Sequence, residues 1–261
     1  MINTINFSSN TLNSEKALQN QTQQQGVNSM KQIIAMGGGG FLMEPENPLL
    51  DRYILQQAEK AKPEICYIGT ASGDAESMTQ KFYERFRKEN CVPSDLSLFK
   101  PPVRDLESFV LDKDIIYVGG GNTKNLLALW REWGLDDILR KALDQGVVLA
   151  GISAGSICWF EEGVTDSYGD GLEPLKALGF LSGSNCPHYD GEPERRPTYR
   201  KLVDEGILQA GIAADDGAAI HYVDGEVKKI VSSRPDAKAY FVSPGKEEML
   251  KTEYLGDPAT S

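Results

Sequence analysis

The stretch Val148-Leu-Ala-Gly-Ile-Ser-Ala-Gly-Ser-Ile-Cys158 decides how this chain is read. With Val147 before it, the run Val148 to Ala150 is apolar and short enough to be a buried strand. It then passes through Gly151, Ser153 and Gly155 into a segment predicted to be helical. Strand, tight G-x-S-x-G turn and helix in succession are the context of a nucleophile elbow, which exposes a serine hydroxyl at the end of a sheet. The same pattern also suits a plain tight turn in which serine caps the helix. A serine attacks a carbonyl only when a base takes its proton, so the answer depends on what else the chain contains.

Outward from that motif, strands and helices alternate. Lys31 to Met36 reads as a buried strand closed by Gly37 to Gly40, and Asn47 to Lys60 has helical spacing with Pro48 near its first turn. Glu64 to Thr70 is a second strand, Ala75 to Asn90 a charged amphipathic helix, and Leu96 to Phe99 a third short strand. Asp114 to Val118 runs into Gly119-Gly-Gly-Asn-Thr-Lys124, followed by helices over Leu126 to Trp133 and Asp136 to Gln145. Such alternation requires crossover connections, so the expected fold class is α/β, a mainly parallel sheet with helices on both faces. The last third differs. A strand near Ser184 to His188 and a helix around Thr198 to Glu205 precede the run Gly211 to Ala214. Ala218 to Val223, Asp224-Gly225 and Val227 to Ser232 then read as a C-terminal β-hairpin, and Lys238 to Val242 as one more strand.

Residues 1–29 are rich in Asn, Gln, Ser and Thr and lack periodicity, which predicts a disordered extension upstream of the natural start, since Met30-Lys31 immediately precedes the first strand. Residues 30–250 are expected to form a single α/β domain and 251–261 a flexible tail. In 261 residues, acids outnumber bases 38 to 27, and the net charge of −11 argues against a nucleic-acid partner. No apolar run approaches the ~18 residues of a membrane span, and no secretory signal is visible, so a cytoplasmic location is expected. The four cysteines form no C-x-x-C pair and are read as reduced, mostly buried thiols. Cys186 and His188 on one strand would be two ligands only, with no H-E-x-x-H, so neither a metal nor a cofactor is expected.

With two histidines in the chain, a serine mechanism has two candidate bases. His188 is read at a strand end, where α/β sheets present functional side chains. His221 lies inside Ala219 to Val223, where alternation places it on a solvent face. An acid must orient the imidazole, and Asp166, Asp170, Asp190, Glu192, Asp215 and Asp216 are available. The pair Asp215-Asp216 is favoured because it follows an apolar run at another strand end. The backbone N–H of Ala154 is the natural first oxyanion donor, and the Gly119 to Gly121 turn can supply a second.

Taken together, Gly119-Gly-Gly-Asn-Thr123, Gly151-Ile-Ser-Ala-Gly-Ser156, Pro187-His188 and Asp216-Gly217, in that order, resemble the dipeptidase E (α-aspartyl dipeptidase) family of serine peptidases, which includes cyanophycinase relatives. The resemblance spans about residues 31–245 and implies a flavodoxin-like, glutamine-amidotransferase-like fold. It further implies Ser153 as nucleophile, His188 as general base and Asp216 as orienting acid, with Asp215 as the alternative register and aspartate where the dipeptidase has glutamate. Ala154, Gly120 and Gly121 are then the oxyanion hole, and Asn122, Thr123 and Arg195 the substrate-binding candidates. An arginine shortly after the histidine binds the acidic side chain in aspartyl dipeptidases, and here Arg195 or Arg196 stands there, each with Glu192 or Glu194 as a structural partner. The implied substrate is a short peptide, and a homodimer is compatible with the sequence. Two rivals are a thiol nucleophile at Cys158 and a non-catalytic module whose Gly37 to Gly40 turn cradles a phosphate.

Overall fold

The structure, a computed structural model, describes residues 29–256. The expected extension, apart from Ser29, and the last five residues of the expected tail lie outside the described residues. Strands β1 (Gln32–Met36), β2 (Glu64–Ile68), β3 (Val92–Leu96), β4 (Ile115–Val118) and β5 (Val148–Ile152) pair in parallel in the order β1-β5-β4-β2-β3. β1, β4 and β5 are buried along their whole length, which is why they read as continuous apolar runs rather than alternating ones.

Helices cover both faces. α1 (Gly40–Met43), α2 (Leu49–Leu55) and α3 (Glu76–Phe86) pack against the side chains of Ile34, Met36, Tyr67 and Tyr117. Phe41, Phe82 and Phe86 meet edge-on or tilted in that layer, and each fully buried aromatic contributes about 1.5–3 kcal/mol of transfer free energy. The opposite face takes Ile33, Ala35, Cys66 and Leu149 against α4 (Leu106–Leu111), α5 (Thr123–Trp133) and α6 (Leu135–Asp144). Asn122 caps α5 by accepting from the Asn125 amide at 2.8 Å, and Gly134, left-handed at φ 64°, separates α5 from α6.

Beyond β5 the chain departs from the expected single sheet. A one-turn helix, α7 (Ala154–Ile157), leads directly into β6 (Phe160–Thr165), β7 (Glu173–Lys176) and β8 (Leu181–Cys186), followed by α8 (Arg195–Asp204) and β9 (Gly211–Ala214). The hairpin β10 (Ala218–Val223) and β11 (Glu226–Ser232) then joins the first sheet antiparallel to β1, turning at Asp224 and Gly225, both with positive φ as a type I′ turn requires. β12 (Ala239–Ser243) and β13 (Lys246–Leu250) return to a second, six-stranded sheet ordered β13-β12-β9-β8-β6-β7. Its strands carry Gly163, Gly183 and Gly211 and an irregularity between Phe160 and Glu162, which breaks the alternation a strand leaves in sequence.

Other boundaries shift as well. β3 lies at Val92–Leu96 rather than Leu96 to Phe99, because an edge strand containing Pro93 carries little apolar signal. Glu253–Tyr254 form β14 beside β11, so the first part of the expected tail belongs to the sheet. Among the described residues no helix is long and apolar enough to cross a membrane.

His221 does not face solvent. It is 4% exposed, with Nδ1 2.9 Å from the Tyr53 hydroxyl and Nε2 3.1 Å from Gln32 Oε1, because its face of β10 is covered by α2. Burial, with Lys228 and Lys229 nearby, pulls its pKa down to about 4. The unfolded chain therefore binds the proton first as pH falls, and stability is lost between about 6.5 and 4, by roughly 2–3 kcal/mol at the lower end. Denaturant titrations across that range should show a shallower loss for His221→Gln than for the wild type. Parallel profiles would remove His221 as the cause.

Candidate active site

The G-x-S-x-G turn has a steric logic. A Cβ on Gly151 would lie 2.5 Å from the Gly155 carbonyl carbon, and one on Gly155 would lie 2.8 Å from the Val118 carbonyl carbon of β4. Both positions must be glycine for α7 to fold back against the sheet this closely. Ser153 between them has φ 58° and ψ −113°, a conformation that costs a non-glycine residue on the order of 1–3 kcal/mol. Its amide donates to Met36 O at the end of β1, and its side chain remains partly exposed.

Ala154 opens α7, so its amide has no intrahelical acceptor. Across the turn, a Cβ on Gly120 would sit 3.1 Å from Ser153 Cβ and 3.6 Å from Oγ, which places the glycine loop after β4 beside the hydroxyl. Neither Gly120 nor Gly121 donates its amide to a backbone acceptor among the described residues, so these groups are open to a ligand.

His188 follows β8 with φ 53°, and its Nδ1 is 2.6 Å from Asp216 Oδ1, both side chains being 12% exposed. That bond occupies Nδ1, so the free nitrogen is Nε2. Asp216 lies between β9 and β10, where Asp190 Oδ1 accepts its amide at 2.7 Å. Gly38 bridges to Asp216, and a Cβ there would collide with the carboxylate and come within 3.1 Å of His188 Nδ1. A side chain on Gly191 would also strike this carboxylate. Asp215 points elsewhere: its backbone N–H and Oδ2 both bond Lys238, and burial lifts its pKa to about 6.

A cavity of about 260 Å³ adjoins Ser153, lined also by Gly121, Asn122, Asp166, Ser167, Glu192 and Arg195. Arg195 is 3% exposed; its Nε donates to Glu192 at 2.6 Å, one terminal nitrogen donates to Val164 O at 3.1 Å, and the other lies 4.0 Å from Asp166. Arg196 turns away to pair with Glu247 and cover the rings of Tyr189 and Tyr240. Asn122 donates its side-chain amide to Ser167 O at 3.0 Å.

Thr123 departs from expectation. It is 1% exposed, its amide donates to Ser167 Oγ, and its hydroxyl lies 3.4 Å from that of Thr165, so it supports the loop from behind and is not part of the cavity wall. Ser167 was not legible as a site residue, because a lone serine between strands carries no pattern. Gly38, Gly191 and Asp190 were equally silent in that role, since nothing in sequence brings them to residue 216.

The rival features are internal. Cys158 is fully buried, donates to Gly155 O at 3.4 Å, and has its pKa raised well above the usual thiol range by burial. In the Gly37 to Gly40 turn, positions 37 and 38 abut the Ala214 to Asp216 segment and position 40 abuts the Tyr117 hydroxyl, which leaves no phosphate cradle.

The profile of peptidase family S51 matches residues 33–230. A relative named "Uncharacterized peptidase YgaJ", from Bacillus subtilis (strain 168), is 60% identical over 231 residues, covering 87% of this chain and 100% of the relative. The fold is similar to that of a peptidase from an acI-B1 actinobacterium (TM-score 0.63, 19% identity, covering 88% of this chain and 96% of that one). It is also similar to a putative peptidase E protein from Listeria monocytogenes EGD-e (TM-score 0.58, 17% identity, covering 85% and 100%). Those two likenesses concern the fold, whereas the profile and the Bacillus relative concern descent: the chain belongs to peptidase family S51 and is a serine peptidase.

Proposed function

We propose that this peptidase hydrolyses short peptides through an acyl-enzyme formed on Ser153, with His188 as general base and Asp216 as the acid that orients it. The observation that carries the reading is the coincidence of a strained, partly exposed serine with a histidine whose Nδ1 is held by a carboxylate at 2.6 Å. Nε2 of His188 takes the hydroxyl proton as Oγ attacks the scissile carbonyl, then delivers it to the leaving amine. The amides of Ala154 and of Gly120 or Gly121 stabilise the developing oxyanion. Water repeats the cycle on the ester. A cavity of about 260 Å³ suits one residue of a peptide at the Ser153 side, consistent with a short substrate.

Preference for an amino-terminal aspartate rests on Arg195. Its fork is already engaged by Glu192, and Asp166 stands 4.0 Å away, so a substrate carboxylate competes with groups of its own charge. The reading is therefore general cleavage of short peptides rather than strict aspartyl specificity, with Asn122 and Arg195 as substrate-contacting residues.

Ser153→Ala should lower kcat by at least about 1,000-fold on a dipeptide and tripeptide library while leaving the melting temperature close to that of the wild type, since serine and alanine bear the strained backbone equally. Wild-type turnover by the purified variant would refute the nucleophile. Asp216→Asn should cost about 10,000-fold in kcat, whereas Asp215→Asn should cost less than about tenfold; the reverse order would move the third member to Asp215. Glu192→Gln, by freeing a guanidinium donor, should raise kcat/KM for Asp-Xaa relative to Ala-Xaa dipeptides by about tenfold, and an unchanged ratio would exclude Arg195 as a reader of acidic side chains.

A further inference from the structure

A second cavity, of about 360 Å³, opens at the C-terminal ends of β2 and β3. It is separate from the one at Ser153. The turn at residues 70–73 stands between them, with the Asn122 amide bonded to Ala71 O at 2.8 Å on the Ser153 side. Two polar groups in this second cavity have acceptor capacity to spare. Tyr67 is 1% exposed, and its hydroxyl lies beside the Ser72 side chain without a hydrogen bond of 3.5 Å or less among the described residues. The neighbouring Ser72 hydroxyl gives its proton to Gly69 O at 2.9 Å. Asp74, held at φ 54°, accepts the Phe99 amide through Oδ2 at 3.2 Å, while its Oδ1 is buried and without a partner among the described residues.

Charge and geometry narrow the ligand. Asp74, Glu76 and Asp95 line the cavity against Lys100 alone, so its field favours a cation. No group of three or more potential ligands could hold a metal ion among the described residues, which disfavours a bare metal ion. Oδ1 of Asp74 needs a donor, and burial raises the Tyr67 phenol so that its oxygen stays protonated and can accept one further bond. Asp95 already holds the Tyr83 hydroxyl at 2.7 Å and contributes charge more than a free acceptor.

We propose that this cavity is a second ligand site, which takes a small organic cation, a primary ammonium or guanidinium group, donating to Asp74 Oδ1 with the Tyr67 hydroxyl as its second acceptor. The cation comes either from a free amine or from the basic side chain of a bound peptide. The site is coupled by contact to the Ser153 loop, because a Cβ on Gly119 would collide with the Tyr67 hydroxyl and be 3.0 Å from its ring. An occupant bonded to Tyr67 therefore braces the start of the Gly119 to Gly121 loop from behind.

Calorimetric titration of the full-length Ser153→Ala protein tests this without dependence on turnover. Its probes are n-butylammonium, methylguanidinium, n-butanol and an N-acetylated lysine-containing tripeptide. At least one cationic probe should bind below about 10 mM, and n-butanol should not. Adding Asp74→Asn, which retains an acceptor for the Phe99 amide, should weaken that binding about tenfold, and adding Tyr67→Phe about threefold or more. Circular dichroism melting establishes that each variant is folded, and a misfolded one leaves the other to decide. Binding of the free cations assigns the site to small amines, and binding of the tripeptide alone assigns it to a peptide side chain. No cation binding, equal binding of n-butanol, or wild-type affinity in the folded Asp74→Asn protein overturns the proposal.

Discussion

The end of β1 is where this molecule has no room. Gly37 and Gly38 carry no side chains because the Ala214 and Asp215 carbonyls and the Asp216 carboxylate occupy the space a Cβ would need. Met36 O holds the Ser153 amide one step earlier, and Gly38 O holds the Gly217 amide one step later. Three consecutive residues of one buried strand end thus fix the positions of the serine turn and of the His188–Asp216 pair. Interiors at native density transmit any displacement at such a point, so the register of β1 governs the whole site.

A second consequence concerns the two sheets. Ser153 lies on the connection that leaves the first sheet from β5 and enters the second at β6, and Asp216 lies on the connection that returns from β9 to β10. His188 leaves β8 of the second sheet toward the same place. Each of the three proposed catalytic side chains therefore sits on a connector, at a backbone geometry set by the strands on either side, and not within an element whose own propensity would dictate it. The positive φ of Ser153 and of His188 marks where those two sets of constraints meet. The surrounding strands supply the burial that offsets this local strain.

Electrostatics at the junction is uneven. The Asp216 carboxylate meets a histidine and its backbone amide donates to Asp190, while Asp215, just before it in the chain, is buried against the Lys238 backbone with one oxygen unpaired among the described residues. Arg195 is nearly enclosed and partnered by Glu192, so the cavity beside Ser153 holds two carboxylates and one guanidinium. Such pairing stabilises a buried charge and leaves it less available to a ligand.

The sequence by itself determined strands β1, β2, β4 and β5 of the parallel core, the hairpin at Asp224-Gly225 and the strand–turn–helix around Ser153. Those features rest on local patterns: buried apolar runs, a two-residue turn signal, and glycines two places either side of a serine. It also reduced the possible bases to two histidines. Their positions already set them apart, His188 at a strand end and His221 inside a strand; what the tertiary structure adds is the helix that covers His221 and the Asp216 carboxylate that meets His188. The second sheet, the inward turn of Thr123 and the opposite directions taken by the Asp215 and Asp216 carboxylates were illegible. Each depends on contacts between residues tens of positions apart, and a shift of one residue along a β connection reverses which side chain faces the site.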